Sequence, residues 1–508
     1  MKVFCHSCAG RNPEKRKIMS KHKSKVLTII FLAASVFVTA IPVTILHTND
    51  THGAYLPQNS RFGKIGGYAV LEYYLNAERE KTSAALYLDA GDQQTGSIFA
   101  SQNYDNAIGG AVIKVFNYLK LDATTYGNHE FDYSQDNTIK LRELANYPFL
   151  STNILDKNNQ PFGGIPYKIF SLDSLQIGVM GLTLTELPEK VKRENIAGLT
   201  ILPYKEAIDK YIEEIDKQSN LIIVLTHNGF EADSLLATVL DNRVDLIIGG
   251  HSHTVISEPC QVNGIYIAST GSYLNYLGAI NLEVQNDRIT AYASKLIPLL
   301  EPENLPITPL NQFVQTMADS IEKETGKVIA HIPVDWVPDK FKETAVSRWA
   351  AEALKQEYYE SCKPDLAIIN NGGIRKVIPA GPVTLKDMYE LFPFNNYIVL
   401  FSCYGRDLLT MEALNKEIAK NKPYDIVQTS STEWKKKKRL FGLLKPKEVY
   451  YINGKPVDPN KIYRVVSFDY VLGQWDKYLG FKPFDVQETG ELFTEVMIRQ
   501  VKKMKNEE

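Results

Sequence analysis

Cysteine is scarce in this 508-residue chain: five in all, of which only Cys260, Cys362 and Cys403 lie beyond residue 40. Three cysteines make no disulfide framework, although one bridge stays open to a protein of an oxidising compartment. Cys5-His6-Ser7-Cys8 has CxxC spacing, but no second pair completes a zinc site. Internal repeats are absent. The one strongly biased segment, Lys435 to Arg439, is five basic residues in succession. It reads as a solvated loop tip, with a patch for an anionic surface as the alternative.

A basic excess is missing too. The formal net charge is -2, and residues 1–40 hold eight of the 57 basic residues and one of the 59 acidic ones. The remaining 49 basic and 58 acidic residues leave the body at −9, which disfavours binding to a nucleic-acid polymer. Long apolar runs are likewise lacking, save Val26 to Leu46 with 21 uncharged residues. About 20 can span a bilayer, but Pro42 interrupts the run and Val43–His47 is needed as a strand. Met19–Ala40 reads instead as an export signal, with Lys21, Lys23 and Lys25 as its positive head and Val38-Thr39-Ala40 as its cleavage site. Export to the periplasm or the medium is expected, with an uncleaved anchor as the rival and membrane contact through this segment alone. Residues 1–18 read as an N-terminal extension, such as an over-extended translation start.

With 44% apolar and 23% charged residues, the composition is that of an ordinary globular protein, and the length suits two large domains or three smaller ones. Short β-branched or apolar runs at Val43–His47, Ala85–Ala90, Ala123–Tyr126, Phe149–Asn153, Ile177–Gly181, Leu221–Thr226, Val244–Gly249 and Ile265–Thr270 predict buried strands. Helical stripes lie between them, at Ile108, Val112, Val115, Phe116 and Leu119, and at Ile208, Tyr211, Ile212 and Ile215. That alternation predicts a layered α/β domain with helices on its faces. Four prolines between Pro298 and Pro309, then a helical stretch Gln312–Lys327, mark a linker. A second α/β or α+β region follows from Val328.

The residues after the strands carry the chemistry. Asp50 and His52 follow the first, Asp92 the second, Asn128, His129 and Asp132 the third, His227 a later one, and His251 and His253 the next. Open α/β sheets place their chemistry outside the strands' carboxyl ends. One histidine there is most often structural; five of the nine, beside Asp and Asn, form a mixed nitrogen–oxygen ligand set. Such a set suits zinc, manganese, cobalt or iron without separating them. Seven ligands exceed one tetrahedral ion and suffice for two ions if one carboxylate bridges, the usual apparatus for displacement at phosphorus. For Asp132, a helix N-cap is a second reading.

In this order DxH, GD, GNHE, a lone His and GHxH resemble the calcineurin-like metallophosphoesterases. The longer forms Asn49-Asp50-Thr51-His52-Gly53, Gly127–Asp132, His227-Asn228-Gly229 and Gly249–Thr254 resemble their exported 5′-nucleotidase branch, over nearly all of residues 43–480. The resemblance implies an α/β protein. An N-terminal β-sheet sandwich flanked by helices (41–300) would be joined by a helical linker (301–327) to a smaller α/β (α+β) substrate-binding domain (328–508). It also implies two divalent ions, zinc, manganese or cobalt. Asp50, His52, Asp92 and His253 would hold one, and Asp92, Asn128, His227 and His251 the other. Hydroxide generated at the ions would attack phosphorus, while His129, oriented by Asp132, stabilises the phosphoryl charge. Close relatives often carry Gln or Asn where His253 stands.

In the second half, Asn370-Asn371-Gly372-Gly373-Ile374-Arg375 follows an apolar strand, and a Gly-rich turn of this kind presents backbone N–H groups beside an arginine clamp. The resemblance makes Asn370 and Arg375 substrate-binding, Phe394 and Tyr470 the rings that hold the base, and Asp476 the acid for the ribose hydroxyls. Asn371 replaces a family glycine, and Lys340 or Lys342 stands in for an upstream arginine. The implied activity is release of phosphate from nucleoside 5′-monophosphates. A 2′,3′-cyclic-nucleotide phosphodiesterase/3′-nucleotidase or a UDP-sugar hydrolase is the alternative, and a silent nucleotide-binding surface protein the remote one. The family's domain rotation implies a hinge near the linker helix. The sequence leaves the oligomeric state open.

Overall fold

The computed structural model describes residues 40–504 except 241, 395 and 440–443; the expected signal Met19–Ala40 falls almost wholly outside the described residues, as does Cys5–Cys8. Two six-stranded sheets face each other. In the first, Ile289–Pro298, Tyr276–Val284, Ile41–Thr48, Ala85–Asp89, Ala123–Thr125 and Phe149–Leu150 lie side by side. In the second the order is Tyr167–Leu172, Leu175–Thr183, Leu221–His227, Leu246–Gly249, Ile265–Ala268 and Cys260–Val262. Central strands run parallel; antiparallel strands close one flank of the first sheet and both flanks of the second.

Strand alternation builds the layers. Val43, Ile45, Leu86 and Leu88 of one sheet meet Ile177, Val179, Ile223, Leu225 and Ile248 of the other in a single core. The intervening Leu46 and Tyr87 turn outward to one helical layer, and Ile222, Val224 and Ile247 to another. Both faces are apolar, which is why these strands read as unbroken hydrophobic runs. Each fully buried Leu or Ile stabilises by roughly 1.5–3 kcal/mol.

Several details differ from expectation. The stripe from Ile108 becomes a helix Gly110–Tyr118, with Ile108 in a two-residue strand ahead of it. The stripe from Ile208 divides into Tyr204–Asp209 and Ile212–Asp216, so a 3.6-residue period ran through a break. The linker helix is Pro309–Thr325, begun by Thr308, whose hydroxyl accepts from Asn311 N–H at 3.0 Å. Its Leu310, Val314, Ala318 and Ile321 pack into the first sheet's outer layer. Lys435–Arg439 lies within a strand, Thr432–Arg439, paired to Leu444–Ile452, rather than in a loop; cross-strand pairing outweighs the like charges. Cys260, Cys362 and Cys403 are free thiols.

The C-terminal domain centres on a five-stranded sheet, ordered Val427–Thr429, Leu366–Asn370, Ile462–Phe468, Tyr397–Tyr404 and Phe484–Leu492. Helices Ala345–Glu357 and Phe493–Lys503 contribute Val346, Ala350, Leu354, Val496, Met497 and Val501 to its core. Among the described residues no helix is long and apolar enough to cross a membrane.

Candidate active site

The turns after the first two parallel strands are laced together. Asp50 N–H donates to Gly91 O at 3.0 Å, His52 N–H to Asp92 O at 3.0 Å and Gly53 N–H to Gln93 O at 2.9 Å. The third turn presses on the second so closely that a Cβ on Gly127 would meet Asp92 Oδ1 at 2.2 Å. Buried Glu130 ties the two, its carboxylate accepting from the N–H groups of Asp92 (3.0 Å), Gln93 (2.9 Å) and Gly127 (2.6 Å). Sequence reasoning passed over Glu130, although it stands inside GNHE. It also passed over Asn49, whose amide fastens Asp50 Oδ2 (2.6 Å) to Gly271 O (2.7 Å).

All seven expected ligands converge here. Asp50, His52 and His253 form one cluster and Asp92, His227 and His251 another, with ligand atoms within 4.8 Å of one another in each. His253 Nε2 lies 3.4 Å from Asp50 Oδ1 and 3.1 Å from His52 Nε2. On the other side, His227 Nε2 lies 3.0 Å from Asp92 Oδ2, and His251 Nδ1 lies 3.0 Å from Asn128 Oδ1. A third cluster joins His52, Asp92 and His129, so distance alone does not separate His129 from the ligands. Its Nδ1 is held by Asp132 Oδ2 at 2.7 Å, while Nε2 stands 3.8 Å from Asp92 Oδ2. The N-cap reading of Asp132 is corrected: Ser134 caps the next helix, accepting from Asn137 N–H at 3.0 Å.

These residues fit divalent cations. His52 Nδ1 is fixed by Thr95 O (2.9 Å) and His227 Nδ1 by Ala90 O (2.7 Å), leaving each Nε2 free to ligate, as in metal sites generally. The fully buried Nε2 of His227 faces the Asp92 carboxylate at 3.0 Å. Burial would push the His227 imidazole down, yet the adjoining Asp92 carboxylate lifts it to about 10. A site with that pull on a proton is built for positive charge. Burial lowers His52 and His251 well below the usual histidine range, and neighbouring imidazoles add to the effect. Five of the seven ligands, Asp50, His52, Asp92, His251 and His253, have left-handed backbone (φ 50–74°). Such strain in non-glycine residues costs roughly 1–3 kcal/mol apiece and gathers at functional sites.

A cavity of about 950 Å³ opens beside the cluster, lined by Asp92, Asn128, His129, His251 and His253 on one wall. Asn370, Arg375, Phe394, Asp425 and Tyr470 line the wall of the other domain. The Phe394 ring lies 5.8 Å from His129 at 27°, and the Arg375 guanidinium sits over the same ring at 5.7 Å. Asp476 does not line this cavity: its side chain is 56% exposed and lies 3.5 Å from Arg193. The short helix Trp475–Tyr478 turns its neighbours Lys477 and Tyr478 inward instead. The expected cradle of N–H groups is spent within the fold. Asn371 N–H donates to Ile426 O (2.9 Å), Gly372 N–H to Asp425 Oδ2 (2.7 Å) and Arg375 N–H to Leu391 O (2.9 Å). Asn371 Nδ2, in the position of a family glycine, donates to Asp339 O and Lys342 O at 2.9 Å each. That staple holds the segment whose Lys340 lines the cavity; Lys342 pairs outside it with Asp339.

A stacked two-sheet fold with mixed Asp, His and Asn ligands at its strand ends defines a metallophosphoesterase, a metal-dependent phosphoester hydrolase. Residues 43–255 match the calcineurin-like phosphoesterase family, and residues 325–483 match the 5′-nucleotidase C-terminal domain. The chain therefore belongs to the family that joins these two domains, whose phosphoesterase half works with divalent metal ions. It is 28% identical over 436 residues to a 5′-nucleotidase of Vibrio cholerae, covering 75% of this chain and 76% of that protein. The structure resembles a 5′-nucleotidase precursor from Thermus thermophilus (TM-score 0.79, 23% identity, 92% of this chain and 97% of that one). It also resembles the sulfate thiohydrolase SoxB of Thermus thermophilus (TM-score 0.73, 18% identity, 90%-plus of both chains). One fold thus carries proteins of different activities, and the substrate must be argued from the site.

Proposed function

We propose that this chain is an exported 5′-nucleotidase that releases phosphate from nucleoside 5′-monophosphates with two divalent ions. The carrying observation is one cavity with Asp92, Asn128, His251 and His253 of the seven-residue cluster on one wall and an arginine and two aromatic rings on the other. In this reading Asp50, His52, Asp92 and His253 would hold one ion, and Asp92, Asn128, His227 and His251 the other. When bound, the ions, zinc, manganese or cobalt, supply Lewis-acid charge and a water acidified towards neutral pH. His129, anchored through Nδ1 by Asp132, directs Nε2 at the phosphoryl oxygens, where negative charge grows. Arg375 takes the phosphate as a fork, and Phe394 and Tyr470 hold the base by stacking, worth about 1–3 kcal/mol.

The domain borders belong to the same proposal: 41–300 for the metal half, 301–327 for the linker and 328–508 for the nucleotide half, with a hinge beside the linker helix. Lys192 Nζ to Asp469 Oδ2 (2.6 Å) and Gln474 Nε2 to Pro188 O (3.0 Å) cross the cleft and would have to part on opening. Export rests on Met19–Ala40, and N-terminal sequencing of the mature protein tests it.

A larger substrate such as a UDP-sugar is favoured by one observation: the cavity of about 950 Å³ also carries Lys190 and Lys340 on its walls. AMP, UMP, UDP-glucose and 2′,3′-cyclic AMP, offered to the metal-loaded protein, decide between the readings. Phosphate release from AMP and UMP is expected to be fastest; none from either would overturn the proposal.

A further inference from the structure

Asp425 belongs to no motif, yet it occupies the middle of the nucleotide wall. Its carboxylate is buried at 9% exposure and accepts three hydrogen bonds: from Asn370 Nδ2 (2.8 Å), Gly372 N–H (2.7 Å) and Tyr478 Oη (2.8 Å). Those donors come from the strand end before the arginine loop, the loop itself and the helix under the aromatic wall. The Tyr478 ring lies 6.0 Å from Tyr470. Because a carboxylate only accepts, the Asn370 amide must turn its nitrogen to Asp425 and its oxygen away. That oxygen is buried and left without a partner, in a residue only 5% exposed that lines the cavity, as do Arg375, Phe394 and Tyr470.

We propose that Asp425 is a positioning residue for substrate selection, locking Asn370 so that its bare Oδ1 accepts a hydrogen bond from a sugar hydroxyl of the substrate. The inference rests on the nucleotidase reading above, since a nucleotide carries its sugar between phosphate and base. A buried acceptor left unmet penalises a substrate without the donor, typically about tenfold to a hundredfold. The lock also fixes the start of the Arg375 loop and the floor under Tyr470, so one carboxylate aligns the phosphate and base ends together.

The test compares kcat/KM for AMP with its 2′-deoxy and 3′-deoxy counterparts in the metal-loaded wild-type, Asp425→Asn and Asn370→Ala proteins. The wild type is expected to favour AMP over at least one deoxy counterpart by about tenfold or more, chiefly through KM. In Asp425→Asn the amide can reverse, and in Asn370→Ala the acceptor is gone; both should bring the ratio to within about threefold. Asp425→Glu should restore part of it. A purely structural role would slow all three substrates alike and leave the ratio intact, which overturns the proposal. Should Asp425→Asn fail to fold, an unchanged ratio in Asn370→Ala overturns it equally. A wild type that hydrolyses AMP without discriminating among the sugars sinks this inference alone, whereas one that releases phosphate from no nucleotide sinks the nucleotidase reading itself.

Discussion

The two walls of the cleft are made by different means. On the metal wall, all the expected ligands but His251 and His253 are buried, each ends or follows a strand, and the backbone is bent into left-handed conformations and fastened by Glu130 and Asn49. On the nucleotide wall, the contacts come from scattered elements, Arg375 from a short turn, Phe394 after a helix and Tyr470 from another helix, and the rings are half-buried. A metal site requires several donors held a few ångströms apart, and left-handed backbone gathers there. Recognition of a sugar and a base needs only a few groups and tolerates looser support.

Substitutions should separate the walls by magnitude and by readout. Asp92→Ala should be the most damaging, lowering kcat by about 10³-fold or more and stripping bound metal, read by elemental analysis. His129→Ala should lower kcat by about 10²–10⁴-fold while metal content stays at the wild-type level; a mild effect would move His129 out of the reaction. Arg375→Ala should act mainly on KM, by roughly ten- to a hundredfold, with lysine recovering only part because it lacks the fork. Tyr470→Ala or Phe394→Ala should raise KM for nucleotides by about fivefold to a hundredfold, with little change for p-nitrophenyl phosphate, which has no base. Asp476→Ala should change kcat/KM by less than about twofold. A large loss there would restore Asp476 to the sugar and require the helix Trp475–Tyr478 to turn when substrate binds.

Much of the metal wall could be read in advance because its chemistry is local. A strand end followed by Asp, His or Asn is a one-dimensional pattern, and in a parallel sheet neighbouring strand ends are neighbours in space. Asp50, His52, Asp92, Asn128, His227, His251 and His253 could therefore be named as candidates from the sequence, and the structure brings them together. The nucleotide wall was legible only where family motifs lent it names. Asp425 lies 55 residues from Asn370 and in no recognisable pattern, so nothing in the one-dimensional text pointed to it. Asp476 stood at the expected spacing from Tyr470, but spacing along a chain does not decide which side of a short helix faces a cavity. The expected N–H cradle failed for the same reason, since the acceptors that consume those groups come from distant segments.

By itself the sequence determined the alternation of strands and helices, the ligand chemistry at the strand tips and the division into a metal half and a nucleotide half. Apolar period and turn chemistry are short-range and survive in one dimension. The tertiary structure alone decided which carboxylate gathers Asn370, Gly372 and Tyr478 and which backbone N–H groups are already spent. It also decided that the five basic residues from Lys435 pair in a ribbon. Those outcomes depend on hydrogen bonds between segments tens of residues apart, and only the folded chain brings such partners within 3 Å.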